Sequence, residues 1–257
     1  TFFEVLTAAI NDFIEFGFDS QARLDEWVTK IRDAAKREMI PDSQVQQDLE
    51  KSLNAAYTRL VTKGGLVNSH VSRFTVDRLR PKLRAELDRR IMTSANLIKL
   101  NREEAISNTL RRFQGWATSI PPGGSNSTDR RKEKANIRKS LTKMTFEQRR
   151  VVIDQTHKLV ANIKDIVAVD SGAIAAEWHS HWRQMNYDYR EDHKERDEKV
   201  FVIKDSWAYQ KGYLKAPHGF TDDITQPGEE VYCRCNYVYL YNLRPVSYTH
   251  LTLPTKA

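Results

Sequence analysis

The two cysteines of this chain stand two residues apart, as Cys233-Arg234-Cys235, downstream of a stretch rich in histidine and acids. Thiolate and imidazole are the ligands of structural zinc, so Cys233 and Cys235 with His193 and His218 form a candidate Cys₂His₂ site. Cys-x-Cys leaves less room to bend than the commoner Cys-x-x-Cys turn. The same two thiols also read as small packing residues at the end of a strand. A disulfide between them is the weakest reading, because i and i+2 thiols bridge only with strain.

His193 belongs to a second constellation. With Asp192, Asp197 and Glu198 it offers a general base beside carboxylates able to hold a metal, as in a nuclease. Carboxylates this close to Lys194, Arg196 and Lys199 also read as a surface ion-pair network. The chain contains no glycine-rich phosphate loop, no His-Glu-x-x-His and no Gly-x-Ser-x-Gly, so no familiar catalytic motif supports the second constellation.

The net charge of +7 is unevenly placed. Residues 1–69 are net −3 and residues 151–257 net −2, whereas residues 70–112 and 123–150 are each net +6. A basic middle between acidic flanks can bind a polyanion through phosphate contacts and counterion release. Arg130, Arg131, Lys132, Lys134, Arg138 and Lys139 are the candidate nucleic-acid contacts. The plain alternative is a solvated helical face. No apolar run approaches the roughly 18 residues needed to span a bilayer, no signal peptide is visible, and no membrane partner is expected. Two cysteines at this spacing are not the disulfide framework of a secreted domain, so an intracellular product is expected.

Apolar periodicity lays out the elements that must carry these residues. Phe2, Phe3, Leu6, Ile10, Phe13 and Ile14 recur at helical spacing up to Gly17. Ser20 is an acceptable N-cap for a second helix through Leu24, Trp27, Val28, Ile31 and Ala35. After Pro41-Asp42-Ser43, a third carries Val45, Leu49, Leu53, Ala56 and Leu60 to Gly64-Gly65. Pro81 is expected near a helix start or a kink, with a long arginine-rich helix after it. Residues 120–127, rich in Pro, Gly and Ser, read as a linker. A second basic helix follows. Thr145 and Gln148 then match a capping box, opening a helix that runs toward Trp182 unless Asp170-Ser171-Gly172 breaks it. Residues 199–203 and 237–241 read as strands. No internal repeat is evident.

The expected class is α+β, a mostly helical N-terminal body with a small C-terminal α+β module of short strands and loops. The expected segments are a helical body (1–120), a linker (121–127), basic and long helices (128–184) and the small module (185–245). Residues 246–257 resemble an in-frame translation of a sequencing-library adapter and are set aside as an artefact. The chain opens at Thr1 without methionine, and a fragment is expected at both ends.

A Trp-bearing helix, Arg190-x-x-His193, then Asp197, a short strand beginning at Val200, Pro227-Gly228 and Cys233-Arg234-Cys235 resemble the C-terminal module of phage head morphogenesis proteins, the Mu F-like minor head protein family. The resemblance covers about residues 175–242. Family members commonly have glycine where this chain has Glu198, a departure that argues against a tight turn there and for a divergent member. The resemblance implies a minor capsid protein of a tailed phage, located in the virion head and in the host cytoplasm during assembly. Its partners would be the portal and capsid or scaffolding proteins, with double-stranded DNA as a further contact. It implies no enzyme and no cofactor, zinc being the alternative. The motif residues would be structural: Arg190 and Arg234 bonded to acids such as Asp197, His193 fixing the loop, and the cysteines closing the core. Two other readings stand beside it. One is a metal-dependent nuclease or toxin-like enzyme module centred on His193, Asp197 and the Cys-Arg-Cys motif. The other is a free-standing nucleic-acid-binding protein using residues 70–150.

Overall fold

The computed structural model describes residues 1–38, 42–125 and 127–243. Pro41 of the expected turn, Asn126 of the expected linker and the adapter-like tail at 246–257 lie outside the described residues. In chain order the elements are α1 (Phe2–Phe16), α2 (Gln21–Glu38), α3 (Asp42–Tyr57), a π-helical turn (Thr58–Thr62), α4 (Arg73–Ala117) and α5 (Arg130–Asp170). Then come β1 (Ala175–His179), α6 (Glu191–Glu195), β2 (Val200–Val202), α7 (Trp207–Gln210) and β3 (Asn236–Leu240). A helical body with a small antiparallel sheet near the C-terminus is the α+β class expected. No helix among the described residues is long and apolar enough to cross a membrane.

Two compact units form, each from separate stretches of chain: residues 1–48 with 93–151, and residues 49–92 with 152–257. The boundary expected at 121–127 falls inside the first unit. The module expected at 185–245 is part of the second.

In the first unit the periodic stripes become the core. Leu6, Ile10 and Phe13 of α1 pack with Leu24, Val28 and Ile31 of α2, and with Ile106, Leu110 and Phe113 of α4. Trp27 Nε1 donates to Asp12 Oδ2 at 2.9 Å, joining α2 to α1. The expected linker is strapped to the end of α1. Phe18 N–H donates to the Ile120 carbonyl, Gly123 N–H to that of Phe16 and Ser125 N–H to that of Ile14, at 2.8–3.1 Å. Gly124 makes this approach possible, since a Cβ there would lie 2.2 Å from the Ile14 carbonyl oxygen.

The helical part of the second unit buries Leu53, Tyr57, Leu60, Leu83 and Leu87 against Leu159, Ile163 and Val167 of α5. Helix α4 begins at Arg73, eight residues ahead of Pro81, so Pro81 lies within the helix and not near its start. Thr75 N–H donates to Ser72 Oγ at 3.1 Å, which caps it. Helix α5 runs through Thr145 without a break, so no new helix opens at the expected capping box. It also stops at Asp170 and does not continue to Trp182. Ser171 and Gly172 close the last turn on the carbonyls of Val167 and Val169, and Ile174 N–H then enters the sheet on the Leu240 carbonyl at 2.7 Å.

The sheet order is β2-β1-β3, antiparallel on both sides. β1 is the central strand, with Glu177 opposite Val200 on one side and Trp178 opposite Tyr237 on the other. The period of two along a strand sorts its residues onto two faces. Ala175, Val200 and Val202 pack with Ala208 and Leu214, whereas Ala176, Trp178 and Phe201 pack with Cys233, Cys235 and Tyr237. The second face carries the motif.

Candidate functional site

Short backbone devices bring the motif together. α6 delivers His193, the turn at 196–199 delivers Asp197, and the loop entering β3 delivers Pro227, Gly228, Cys233, Arg234 and Cys235. His193 is 2% exposed and each cysteine 1%. His193 Nδ1 lies 3.7 Å from Cys233 Sγ and 3.5 Å from Cys235 Sγ. The Trp178 ring meets the His193 ring edge to face at 5.1 Å, and the Tyr237 ring at 5.6 Å.

His218 stands apart from this cluster. It is exposed, with its ring 6.5 Å from that of Phe201, and among the described residues the group of donor atoms that contains the two thiols and lies close enough to share an ion is His193, Cys233 and Cys235. The expected Cys₂His₂ set is therefore corrected to a three-residue set. A second group, Asp192, His193 and Glu230, gathers at the other ring nitrogen. Its carboxylates already face cations, Asp192 paired with Arg196 at 2.7 Å and Glu230 with Arg190 at 2.5 Å. His193 Nε2 is buried with no hydrogen-bond partner among the described residues, 3.6 Å from Glu230 Oε1.

The thiols are electrostatically unequal. A hydrogen bond from Cys235 is the largest influence holding the Cys233 thiol below its ordinary range, helped by Gly228 N–H, which points at Cys233 Sγ from 3.4 Å. The same bond, with burial, pushes the Cys235 thiol up. Gly228 is buried at φ 87°, and a Cβ there would sit 3.3 Å from Ala161 Cβ on α5. Glycine at this position thus permits both the turn and the close approach of its N–H.

Asp197 takes a structural post. Its Oδ1 accepts from Ser180 N–H and its Oδ2 from Trp182 Nε1, both at 2.7 Å. Neither motif arginine reaches it; Arg190 bonds an acid as expected, but that acid is Glu230, and Arg234 bonds none among the described residues. Arg190 pairs with Glu230 and donates to the Val231 carbonyl at 3.0 Å, while Arg234 donates to Gln184 Oε1 at 3.4 Å and lies over the Tyr187 ring. The Trp-bearing helix expected ahead of Arg190 is not formed, since Trp178 lies on β1 and Trp182 in a turn.

The tight turn doubted at Glu198 is formed despite the missing glycine. Glu198 adopts φ 63°, and its N–H donates to the Trp178 carbonyl at 2.8 Å. Left-handed backbone costs an L-residue roughly 1–2 kcal/mol, which glycine avoids. Its exposed carboxylate meets Arg183 only at 3.7 Å, an ion pair of little value. Glu198→Gly is therefore expected to raise stability by up to about 1 kcal/mol after the added unfolded-state entropy of glycine. Denaturant unfolding of the two proteins checks it, and a destabilised glycine variant would refute the strain argument.

A face of α5 completes the site, and the motif gives no hint of it. Asp154 Oδ1 accepts from Tyr232 N–H at 2.7 Å, His157 Nε2 contacts the Cys235 carbonyl at 3.0 Å, and Asp165 Oδ1 accepts from Tyr239 hydroxyl at 2.9 Å. Burial raises Asp165 above the ordinary carboxylate range. These residues recur at helical spacing, so a polar stripe on an otherwise apolar face was the available signal.

The basic residues divide into two kinds. In the first block Arg73 and Arg80 pair with Asp77, Arg78 with Asp170, Arg84 with Asp88, and Arg89 and Arg90 with Glu86. In the second, Arg130, Arg131, Lys132 and Lys139 are exposed at the start of α5, and no ion pair engages them among the described residues. Lys134 is half-buried, and Arg138 lies over the Phe3 ring at 5.5 Å.

Comparison of the chain with protein-family models, with curated proteins and with solved structures returns no match.

Proposed function

We propose that this chain is a structural head-morphogenesis protein of a tailed phage, a minor capsid component that associates with the portal and touches DNA through the start of α5. One observation carries the reading. The residues on which the resemblance rests converge on a single closed module, where they pack or hydrogen-bond with one another's neighbours. Arg190 holds Glu230, Asp197 holds Ser180 and Trp182, and Gly228 meets Cys233. An enzyme centred on His193 needs a face open to substrate, and His193 is 2% exposed. Both carboxylate oxygens of Asp197 are also occupied. The virion head is then its destination and the host cytoplasm its site of assembly.

Co-expression with the portal and scaffolding proteins encoded at the same locus tests the association. The expected result is retention of the tagged chain on the portal through gel filtration. Separate elution, with no portal or capsid gene beside its own, would sink the reading.

DNA binding has its own test. Arg130→Glu, Arg131→Glu and Lys132→Glu together reverse three exposed charges, and acids in the first turn of a helix favour its dipole, so the fold is preserved. Affinity for duplex DNA is expected to fall. The slope of log K against log salt should shrink by up to about 3, near 0.9 for each phosphate that is no longer neutralised. A binding curve indifferent to both salt and the triple substitution would remove DNA from the account.

A further inference from the structure

We propose that His193 Nδ1, Cys233 Sγ and Cys235 Sγ bind a zinc ion that staples α6 to the loop entering β3. Zinc–sulfur bonds of about 2.3 Å and zinc–nitrogen bonds of about 2.0–2.1 Å, held at tetrahedral angles, set neighbouring donor atoms about 3.5–3.8 Å apart. The imidazole nitrogen and the two sulfurs already stand at 3.5 and 3.7 Å. A cysteine pair two residues apart can chelate here because the left-handed Tyr232, at φ 60°, turns the chain just before it, and both sulfurs face His193.

The surroundings suit a thiolate-bound cation. Gly228 N–H is aimed at Cys233 Sγ, as backbone amides are at metal-bound sulfur. Coordination through Nδ1 leaves the proton on Nε2, which otherwise has no partner among the described residues, directed to the Glu230 carboxylate 3.6 Å away. A carboxylate behind a ligating histidine fixes its tautomer and orientation. The cluster lies wholly in the second unit, 42 residues separating His193 from Cys235, so a bound ion would close a long loop. Two thiolates and an imidazole favour zinc over hard cations such as magnesium or calcium, which take oxygen donors. The three protein donors supply three of the four tetrahedral positions. The staple is independent of the head-protein reading, and either could fail alone.

The test uses the full chain, purified without chelators and dialysed. Elemental analysis should find zinc in stoichiometric amount, released in step as a mercurial reagent titrates the two thiols. Cys233→Ser, Cys235→Ser and His193→Ala should each lose the metal, whereas His218→Ala should keep it. Glu230→Ala should weaken zinc affinity about 10–100-fold. Since a core substitution can also misfold the chain, cobalt loaded into the unaltered protein gives an independent reading. Tetrahedral thiolate-bound cobalt shows strong visible bands with a sulfur charge-transfer band, and zinc should displace them. Thiols that titrate without releasing metal, a weak octahedral cobalt spectrum, a different metal in stoichiometric amount, or zinc lost with His218→Ala would each overturn the assignment.

Discussion

Trp178→Ala is expected to destabilise the second unit by about 3–5 kcal/mol, as removal of a large buried aromatic does when its surroundings relax only in part. Trp178 has no exposed surface and lies on the central strand. His193 and Tyr237 meet its ring edge to face, and the Arg196 guanidinium sits 5.1 Å from the ring centroid. Removing it opens a cavity beside His193 and frees the ring whose position sets the His193–Cys233–Cys235 spacing. Trp178→Phe separates packing from polarity. The indole N–H is buried with no hydrogen-bond partner among the described residues, so phenylalanine sheds an unsatisfied donor while keeping most of the volume. Its cost should be less than half that of alanine. Circular dichroism through a denaturant titration reads both, and an alanine variant unfolding at the native midpoint would contradict the packing described.

Asp197→Ala comes next, at about 3 kcal/mol, the low end for two bonds to a charged acceptor because both are only part-buried and water can take up the freed donors. Hydrogen bonds to a charged acceptor contribute roughly 1.5–3 kcal/mol each, and an orphaned donor adds its own desolvation cost. Two donors depend on this carboxylate, Ser180 N–H and Trp182 Nε1. Ser180 Oγ is itself 3.9 Å from Cys235 Sγ, so the substitution also loosens the cysteine side of the cluster. Asp197→Asn should recover only part of the stability. An amide offers one acceptor oxygen, and its NH₂ would face a second donor. If asparagine were as costly as alanine, the bonds would matter less than the charge. If neither substitution changed the midpoint, Asp197 would not be the keystone of this turn.

Much of the architecture follows from periodicity. The stripes of α1 and α2 are regular because one face of each is buried in the first unit, β2 lies within the expected run at 199–203, and β3 overlaps that at 237–241 but starts one residue earlier, at Asn236. β1 was invisible for a physical reason. Residues 173–176 are Ala-Ile-Ala-Ala, rich in the strongest helix former, and the alternation of β1 is confined to the three residues Glu177-Trp178-His179, too short a run to stand out. Thr145 and Gln148 match a capping box by type within a helix already under way, and three-residue spacing alone cannot tell a start from a middle.

At the site, residue type found His193, Cys233 and Cys235, while position decided against His218, which shares the imidazole but lies outside the cluster. The supporting residues escaped notice because Asp154, His157 and Asp165 belong to a long helix whose partner strands lie far away in sequence. Glu198 is instructive in the other direction. The backbone keeps the left-handed turn because Trp178 accepts its N–H, and the side chain bears the strain.

On the proposed reading the motif builds structure and does no chemistry on nucleic acid. The most direct measurement is incubation of the full chain with supercoiled plasmid in the presence of magnesium, manganese or zinc, followed by gel electrophoresis. The expected result is DNA that is retarded at low salt, released at high salt and recovered uncut with every metal. Metal-dependent nicking that disappears in a folded His193→Ala variant would contradict it and make the module an active site.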